Sequence, residues 1–290
     1  MRNDSTTIIR TLLASASVLP AVTPITAQSL LAYVAGRDRA WLLAHPEDSL
    51  SPEQTERFEQ FLARAAQGEP LAYLLGEKEF CGLAFMVTPD VLIPRPETET
   101  LVEAALDWAA WVGKADPAIV DVGAGSGAIA VTLAVKLPGA RVTAVDVSEK
   151  ALALVRANAE RHGVAGRVRL AQGDLLETLP GPFDAIVANL PYIPTPALAD
   201  LEVSRWEPAL ALDGGGDGLS LIRRLVEQAS TRLAAGGLLA LEIQYDQGQR
   251  VAELCRTAFP GGLVRVDRDL AGLDRMVVVK NSPGAVGAIE

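Results

Sequence analysis

Short runs of β-branched and other apolar residues alternate with longer helical patterns after about residue 97 of this chain. Such alternation is typical of a doubly wound parallel sheet with helices on both faces. Only a short segment around Gly272 separates the last two runs, which is too short for a crossover helix, so the seventh strand should enter antiparallel. We therefore predict an α/β domain with a seven-stranded, Rossmann-like sheet and an antiparallel last strand. The predicted strands are residues 119–122, 142–145, 168–170, 183–188, 238–243, 263–266 and 276–279.

A smaller helical module precedes this domain. Apolar residues recur at helical spacing between residues 29 and 76, and Ser51 followed by Pro52 is a typical helix start. After residue 76 the pattern changes to a few alternating apolar residues and then to a proline-rich stretch, which suits a hairpin and an extended connector. The predicted division is a helical domain at 1–76, a hairpin and linker at 77–97, and the α/β domain at 98–290.

The charge of the chain bears on the class of partner. Its 290 residues carry a formal net charge of −10, and the pI is near 4.9. Proteins that grip DNA or RNA through the phosphates carry a basic face, so direct nucleic-acid binding is disfavoured. A protein or small-molecule substrate is the better expectation.

The cysteines and histidines indicate neither a metal site nor a disulfide framework. Cys81 and Cys255 lie far apart, and neither His45 nor His162 has a second ligand at metal-binding spacing. No apolar run reaches the roughly 18 residues that would suggest a membrane span. We expect a cytoplasmic protein with no metal and no membrane association.

A glycine-rich loop follows the first predicted strand. Residues 121–127 read Asp-Val-Gly-Ala-Gly-Ser-Gly, and a helix begins at Ala128. Glycines suit a sharp turn at which a ligand approaches the backbone without a Cβ in the way. The same glycines also satisfy the dinucleotide fingerprint of dehydrogenases, and a tight turn without a ligand is a further reading. The candidate cofactor residues in this loop are Gly123, Ala124, Gly125, Ser126 and Gly127.

Acidic residues end the next two predicted strands. Asp146 can accept hydrogen bonds from two ribose hydroxyls, and Asp174 with Leu175 offers a carboxylate and an apolar wall for an adenine. Open α/β sheets bind ligands at the carboxyl ends of their strands, where all of these residues fall. These positions favour a nucleoside-containing cofactor.

The tetrapeptide Asn189-Leu190-Pro191-Tyr192 directly follows the fourth predicted strand. An amide nitrogen is a poor nucleophile, so its chemistry depends on positioning. The Asn189 side-chain oxygen and the Leu190 carbonyl can accept the two N–H groups of a substrate amide and aim its lone pair at a methyl donor. Pro191 restricts the backbone, and Tyr192 offers a flat face to a planar group. The alternative is an ordinary strand end, where Asn caps a turn and Tyr packs.

Five segments together resemble the release-factor glutamine methyltransferases, the PrmC/HemK family. The resemblance implies a class I methyltransferase fold with S-adenosyl-L-methionine as cofactor and an N-terminal module that helps to recognise peptide chain release factors. It implies that the acceptor is the glutamine of the Gly-Gly-Gln motif, held by the tetrapeptide, with Asn189 also at the cofactor. The segments are 68–76 (Gly-Glu-Pro-Leu-Ala-Tyr-Leu-Leu-Gly), 92–99 (Leu-Ile-Pro-Arg-Pro-Glu-Thr-Glu), 121–127, 189–192 and 207–210 (Glu-Pro-Ala-Leu).

Leu190 departs from the pattern of that family, which usually has proline at this position. Asn-Leu-Pro-Tyr is the form found in rRNA adenine dimethyltransferases, so an rRNA or DNA adenine-N6 methyltransferase is an alternative function. A catalytically inactive binding module with the same fold is another alternative. Only the backbone carbonyl of position 190 is needed to hold an amide, which keeps the glutamine function compatible with leucine.

Arg95, within the proline-rich stretch, has two expected kinds of partner. It can contact the acceptor protein, or it can pair with Glu97 or Glu99 a few residues later. The first kind would place Arg95 at the substrate site and the second would make it structural.

Overall fold

The computed structural model describes residues 7–19, 21–269 and 271–282. The chain divides into two compact units, Met1–Glu77 and Lys78–Glu290. Across the described ranges, no helix is long and apolar enough to cross a lipid bilayer.

The first unit is helical in its described part, apart from one short strand pair. Ser51 caps the helix Pro52–Ala66 (α4) as predicted: its hydroxyl accepts from the Gln54 backbone N–H at 3.2 Å, and the Gln54 side chain accepts from the Ser51 N–H at 3.0 Å. This reciprocal capping box satisfies two donors that the first turn leaves unpaired. The elements are β1 (Thr7–Ile8), α1 (Ile9–Ala16), α2 (Pro24–Ala35), α3 (Arg39–Ala44), β2 (Ser49–Leu50), α4 (Pro52–Ala66) and α5 (Leu71–Leu75).

One apolar cluster holds this unit together. Leu30 and Leu31 of α2, Phe58 of α4 and Leu42 of α3 are fully buried within it. The spacing of Phe58 and Leu62 on α4 puts both on one helix face, against α2. The unit therefore has a hydrophobic core of its own.

The second unit opens with the hairpin expected from the sequence, formed by β3 (Glu77–Phe80) and β4 (Leu83–Met86). A 3-10 turn at Pro96–Thr98 then leads into α6 (Glu99–Val112). The proline-rich stretch between them has no regular secondary structure, as prolines without N–H donors would suggest.

A seven-stranded sheet forms the centre of this unit, and its strand order is β10-β11-β9-β8-β5-β6-β7. The last strand, β11, pairs antiparallel with both of its neighbours, which confirms the prediction from the short turn at Gly272. The strands are β5 (Ala118–Val122), β6 (Arg141–Asp146), β7 (Val168–Gln172), β8 (Phe183–Ala188), β9 (Leu233–Glu242), β10 (Leu263–Arg268) and β11 (Asp274–Lys280).

Helices cover both faces of the sheet, as the alternating pattern predicts. Residues of α6, α7 and α8 form one buried apolar cluster with one face, and residues of α9 and α10 form a second cluster with the other. Neighbouring residues of β5 divide accordingly: Ile119 belongs to the first cluster and Val120 to the second. The remaining helices are α7 (Ala128–Lys136), α8 (Glu149–Arg161), α9 (Ser220–Ser230) and α10 (Gly248–Ala258).

Strand β9 is longer than predicted and begins at Leu233 rather than at residue 238. Phe183 pairs with Leu233, but Ala185 pairs with Leu238, so the ladder contains an irregularity. Gly236 has a φ of 76° within it. A glycine in this conformation lets the strand bend and continue, which extends it beyond the apolar run from which it was predicted.

Asn158 of α8 joins the hairpin to the glycine loop. Its side-chain oxygen accepts from the Met86 N–H at 2.8 Å, and its amide nitrogen donates to the carbonyls of Met86 at 3.0 Å and Ser126 at 2.8 Å. The side chain is fully buried. Since buried polar groups are costly to leave unpaired, this amide stabilises both segments together.

We predict that Asn158→Ala lowers the free energy of unfolding by about 2–4 kcal/mol, because it leaves buried backbone groups without partners. Arg156→Ala, at an exposed position of the same helix, is the matched control and should change it by less than about 0.5 kcal/mol. Urea denaturation followed by circular dichroism measures both. Equal stabilities for the two variants would show that the Asn158 contacts contribute nothing.

Candidate active site

A cavity of about 280 Å³ opens at the carboxyl ends of the central strands. Strand β8 lies next to β5, on the side away from β6, so the strand order reverses at this point. A doubly wound sheet has its ligand crevice at such a switch point. The cavity is lined by most of the site residues that were predicted from the sequence: Gly123, Ala124, Gly125, Ser126, Asp146, Asp174, Leu175, Asn189, Leu190 and Pro191.

The loop after β5 depends on its glycines. Gly123, Gly125 and Gly127 have φ values of 76°, 55° and 80°, a region that side chains disfavour. A Cβ on Gly123 would lie 3.1 Å from Leu190 Cδ2, and one on Gly127 would lie 3.0 Å from Val155 Cγ1. Gly127 is not part of the cavity wall; it lets α7 start close to α8.

Asp146, at the end of β6, holds this loop in place. One carboxylate oxygen accepts from the Gly125 N–H at 2.9 Å, and the other accepts from the Ser148 N–H at 2.9 Å. A carboxylate has about four acceptor sites, so two such bonds leave capacity for further donors. Asp146 can therefore shape the loop and also accept hydrogen bonds from a ligand.

Asp174 and Leu175 follow β7 on the same side of the cavity. The Asp174 carboxylate pairs with the Arg224 guanidinium at 2.8 Å, and Arg224 also contacts Glu177 at 2.9 Å. Leu175 has a φ of 52°, which is uncommon for a residue with a branched side chain. Backbone conformations of this kind concentrate at ligand sites, where the surrounding structure holds them.

Asp121 is the last residue but one of β5 and is fully buried, and its sequence context predicted no separate role for it. One oxygen accepts from the Ala130 N–H at 3.0 Å, while the other has no hydrogen-bond partner among the described residues. Burial raises its pKa to about 7, and the nearby Asp146 charge contributes. A cation bound nearby would favour its ionised form.

The side chain of Asn189 is held in one orientation by Thr98. Its amide nitrogen donates to the Thr98 hydroxyl oxygen at 3.0 Å, and Thr98 is almost completely buried at the start of α6. Since the nitrogen is committed to Thr98, the carbonyl oxygen is the atom that Asn189 has left to offer a ligand.

Leu190 and Tyr192 play different parts around Asn189. The Leu190 side chain is buried and packs beneath Gly123, which adds a packing role that the sequence did not indicate. Tyr192 is not among the residues that line the cavity. Its hydroxyl lies 3.5 Å from Glu242 Oε1, and its backbone carbonyl accepts from the Gln247 side chain at 3.0 Å. Burial raises the pKa of Tyr192 to about 12.

Glu242 is a second buried carboxylate that sequence reasoning missed. It is the last residue of β9 and only 2% exposed. The sequence does contain a signal for it, because Glu242 is an acidic residue near the end of an apolar strand. Asp146 was predicted as a site residue from the same kind of position. Burial raises its pKa to about 7.

Arg95 pairs with Glu207, so the expected pairing with Glu97 or Glu99 is wrong. The other oxygen of the buried Glu207 accepts from the Ile93 N–H at 3.0 Å. The proline-rich stretch is thereby tied to the segment that follows the tetrapeptide, and both segments contribute to the cavity wall. The partner lies 112 residues away along the chain, which local sequence could not reveal.

Comparison with protein families gives two matches within the chain. Residues 11–76 match the PrmC N-terminal domain, and residues 104–200 match the methyltransferase small domain. The second match contains the glycine loop, Asp146, Asp174 and the Asn189 tetrapeptide. These motifs therefore lie in the part of the chain that matches a methyltransferase family.

Curated relatives match most of the chain. A release factor glutamine methyltransferase of Moorella thermoacetica is 49% identical over 86% of this chain and 88% of its own. One of Bordetella pertussis is 45% identical over 93% of this chain and 98% of its own.

Among solved structures, a methyltransferase from Pyrococcus furiosus has a TM-score of 0.51 at 19% identity, covering 79% of this chain and 98% of that one. The hMettl16 catalytic domain has a TM-score of 0.57 at 14% identity, covering 88% and 92%. At such identities these likenesses concern the fold alone, whereas the curated relatives are similar along the sequence as well. The chain is therefore a member of the release factor glutamine methyltransferase family.

Proposed function

We propose that this protein transfers a methyl group from S-adenosyl-L-methionine to the side-chain amide nitrogen of the glutamine in the Gly-Gly-Gln motif of peptide chain release factors. The observation that carries the proposal is the orientation of Asn189, whose amide nitrogen is bound to Thr98 while the residue lines the cavity. The names of the curated relatives support the same acceptor.

The cavity suits the cofactor in shape and charge. A Cβ at Gly123 would meet Leu190, so the bare glycine keeps the loop close to the tetrapeptide. The Asp146 carboxylate in the cavity wall provides a negative charge that suits a sulfonium cation, and such a cation would favour the ionised form of the buried Asp121 behind it. When bound, S-adenosyl-L-methionine supplies an electrophilic methyl group. The residues proposed to hold it are Gly123, Ala124, Gly125, Ser126, Asp146, Asp174, Leu175 and Asn189, and Gly127 is proposed to support the loop from outside the cavity wall.

The tetrapeptide is proposed to hold the acceptor amide. The Asn189 side-chain oxygen and the Leu190 carbonyl accept its two N–H groups, which directs the nitrogen lone pair towards the donor. Preorganised acceptors of this kind require no reorganisation during the transfer. Pro191 restricts the backbone directly after them. Tyr192 does not line the cavity, so the proposal that its ring supports the planar group rests on its place in the tetrapeptide.

Methylation of adenine in RNA or DNA is the second candidate, and Leu190 is the feature that favours it. An adenine amino group could be held by the same two acceptors. The net charge of −10 counts against phosphate-based binding, and we infer that direct nucleic-acid binding is not the function. An experiment with methyl-labelled S-adenosyl-L-methionine decides between the two functions. The protein is incubated with release factor and, separately, with ribosomal RNA, and mass spectrometry locates the label.

The two units are proposed to have different functions. We propose that residues 1–76 recognise the release factor, that residues 77–97 form a hairpin and linker, and that residues 98–290 form the methyltransferase domain. The match to the PrmC N-terminal domain over residues 11–76 supports the first assignment. Because release factors act on ribosomes, the proposed site of action is the cytoplasm.

We predict that Asp146→Ala weakens binding of S-adenosyl-L-methionine by about 1–3 kcal/mol, the range for losing hydrogen bonds to a charged acceptor. Asp116→Ala, which removes an exposed carboxylate that pairs with Arg141, is the control. Calorimetric titration measures both affinities. An unchanged affinity for Asp146→Ala would remove this residue from the cofactor site.

Asn189→Ala should lose about a hundredfold or more in turnover, as expected when one preorganised polar group is removed. Cofactor affinity should fall much less, because the glycine loop and Asp146 are intact. The control is Asn281→Ala, whose amide binds the Leu233 and Ala234 carbonyls outside the cavity. Turnover is measured on purified release factor, and a largely active Asn189→Ala variant would mean that the amide is held elsewhere.

Leu190→Pro should keep release-factor turnover within about tenfold, roughly 1.4 kcal/mol of barrier. Proline retains the backbone carbonyl and suits an extended chain ahead of Pro191. Loss of the buried leucine side chain beneath Gly123 should lower the stability.

The Leu190→Pro assay compares wild type and variant on release factor and on ribosomal RNA under one set of conditions. Circular dichroism serves as the check on folding. A collapse of release-factor methylation in a folded Leu190→Pro variant, or wild-type activity on RNA alone, would contradict the glutamine assignment.

A further inference from the structure

A second glycine-rich segment, residues 213–218, packs against the backbone of the tetrapeptide. A Cβ built on Gly214 would lie 2.8 Å from the Pro191 carbonyl oxygen, which is closer than side-chain carbons approach such an atom. A Cβ built on Gly218 would lie still closer to the Tyr192 carbonyl oxygen. The two glycines therefore allow one backbone to approach the other where any side chain would separate them.

Hydrogen bonds join the same two segments immediately after the tetrapeptide. The Ile193 N–H donates to the Leu212 carbonyl at 3.1 Å, and the Gly214 N–H donates to the Ile193 carbonyl at 2.8 Å. Ile193 and Asp213 thereby form an isolated parallel bridge. Both backbone polar groups of the residue after the tetrapeptide are thus fixed.

Gln247, at the start of α10, adds a third element to this contact and is only 3% exposed. Its amide nitrogen donates to the Tyr192 carbonyl at 3.0 Å and to the Gly218 carbonyl at 3.4 Å. Its side-chain oxygen accepts from the Gln244 N–H at 3.1 Å. Because that backbone donor requires the oxygen, the nitrogen of the amide must face the two carbonyls.

The tetrapeptide is consequently held on both sides. Ala188, the residue before it, is paired within the sheet to β5 and β9. The chain after it is held by Gln247 and by the bridge at Ile193. The ring of Pro191 restricts its own φ. Little freedom remains for the peptide group that carries the Leu190 carbonyl.

We propose that Gln247 is a positioning residue that, together with Gly214 and Gly218, fixes the backbone of the tetrapeptide so that the Leu190 carbonyl is directed at the substrate amide. The inference rests on the proposed function and extends it to three residues outside the tetrapeptide. None of these three lines the cavity. They act through the backbone of residues 191–193 and do not touch the substrate.

The two proposed acceptors differ in how they are oriented. The Asn189 side chain has a hydrogen-bond partner of its own in the Thr98 hydroxyl. The Leu190 carbonyl belongs to the main chain, so only contacts of the neighbouring backbone can set its direction. A misplacement of about 1 Å can cost about a hundredfold in rate when a reaction depends on alignment. Fixing the backbone after Leu190 is therefore a requirement of the proposed chemistry.

The first pair of variants removes the side-chain contact. Gln247→Met keeps the approximate length of the side chain but removes both donors. Gln249→Met, the matched control, makes the same change at an exposed position of the same helix, where the amide binds Glu253 at 2.9 Å.

The second pair of variants tests the close approach of the two backbones. Gly214 does not have a positive φ, so Gly214→Ala adds a methyl group against Pro191 without backbone strain of that kind. Gly216→Ala is the matched control in the same segment. Among the described residues, apart from its chain neighbours, nothing lies within 4 Å of a Cβ built on Gly216.

Turnover and KM are measured on purified release factor, affinity for S-adenosyl-L-methionine by calorimetry, and the melting temperature by circular dichroism. We expect Gln247→Met and Gly214→Ala to lower kcat about tenfold or more through misalignment. KM should stay within about threefold and cofactor affinity within about twofold, because an interaction that acts in the transition state is lost. Both controls should keep kcat within about twofold, as surface changes usually do.

A purely structural role for Gln247 gives a different result. Gln247→Met would then lower the melting temperature, while kcat of the folded protein would equal that of wild type.

A wild type that labels no glutamine would overturn the proposed function, and this inference with it. If wild type labels glutamine, the inference alone is overturned by a folded Gln247→Met variant with wild-type kcat. It is likewise overturned if Gly216→Ala is as impaired as Gly214→Ala, or if cofactor affinity falls as far as kcat.

Discussion

The parallel pairing of β5 with β8 is the constraint on which the site depends. Val122 lies opposite Ala188 at the ends of these strands, so the glycine loop and the tetrapeptide leave the sheet side by side. Strands β6 and β7 continue on the other side of β5, which opens the crevice at the reversal. Leu190 then packs beneath Gly123, joining the segment proposed to hold the cofactor to the one proposed to hold the acceptor.

Two buried carboxyl groups stand behind these loops, one at the end of β5 and the other at the end of β9. Asp121 and Glu242 are both less than 3% exposed, and burial raises the pKa of each to about 7. Such groups cost stability, because a carboxyl group in an apolar core must either take up a proton or carry its charge without hydration. Buried carboxyl groups with a raised pKa cluster at functional sites. Asp121 belongs to the segment of the glycine loop, and Glu242 lies 3.5 Å from the hydroxyl of Tyr192 in the tetrapeptide.

Features with a local signal could be predicted from the sequence. The seven strands, the capped helix after Ser51 and the glycine loop follow from patterns within a few residues. Contacts across the chain could not be predicted, because their partners lie far apart: Thr98 is 91 residues from Asn189. The wrong partner expected for Arg95 has the same cause, since neighbouring glutamates were visible and Glu207 was not.

Leucine at position 190 departs from the family pattern, which usually has proline there. The feature required by the proposed chemistry is a backbone carbonyl, which every residue has. The side chain faces the underside of Gly123, where the absence of a Cβ leaves room for a branched residue. Leucine is therefore accommodated by packing against the glycine loop, and no change of acceptor is needed to explain it. What would specify the acceptor is the orientation of Asn189, and that orientation is set by its hydrogen bond to the Thr98 hydroxyl.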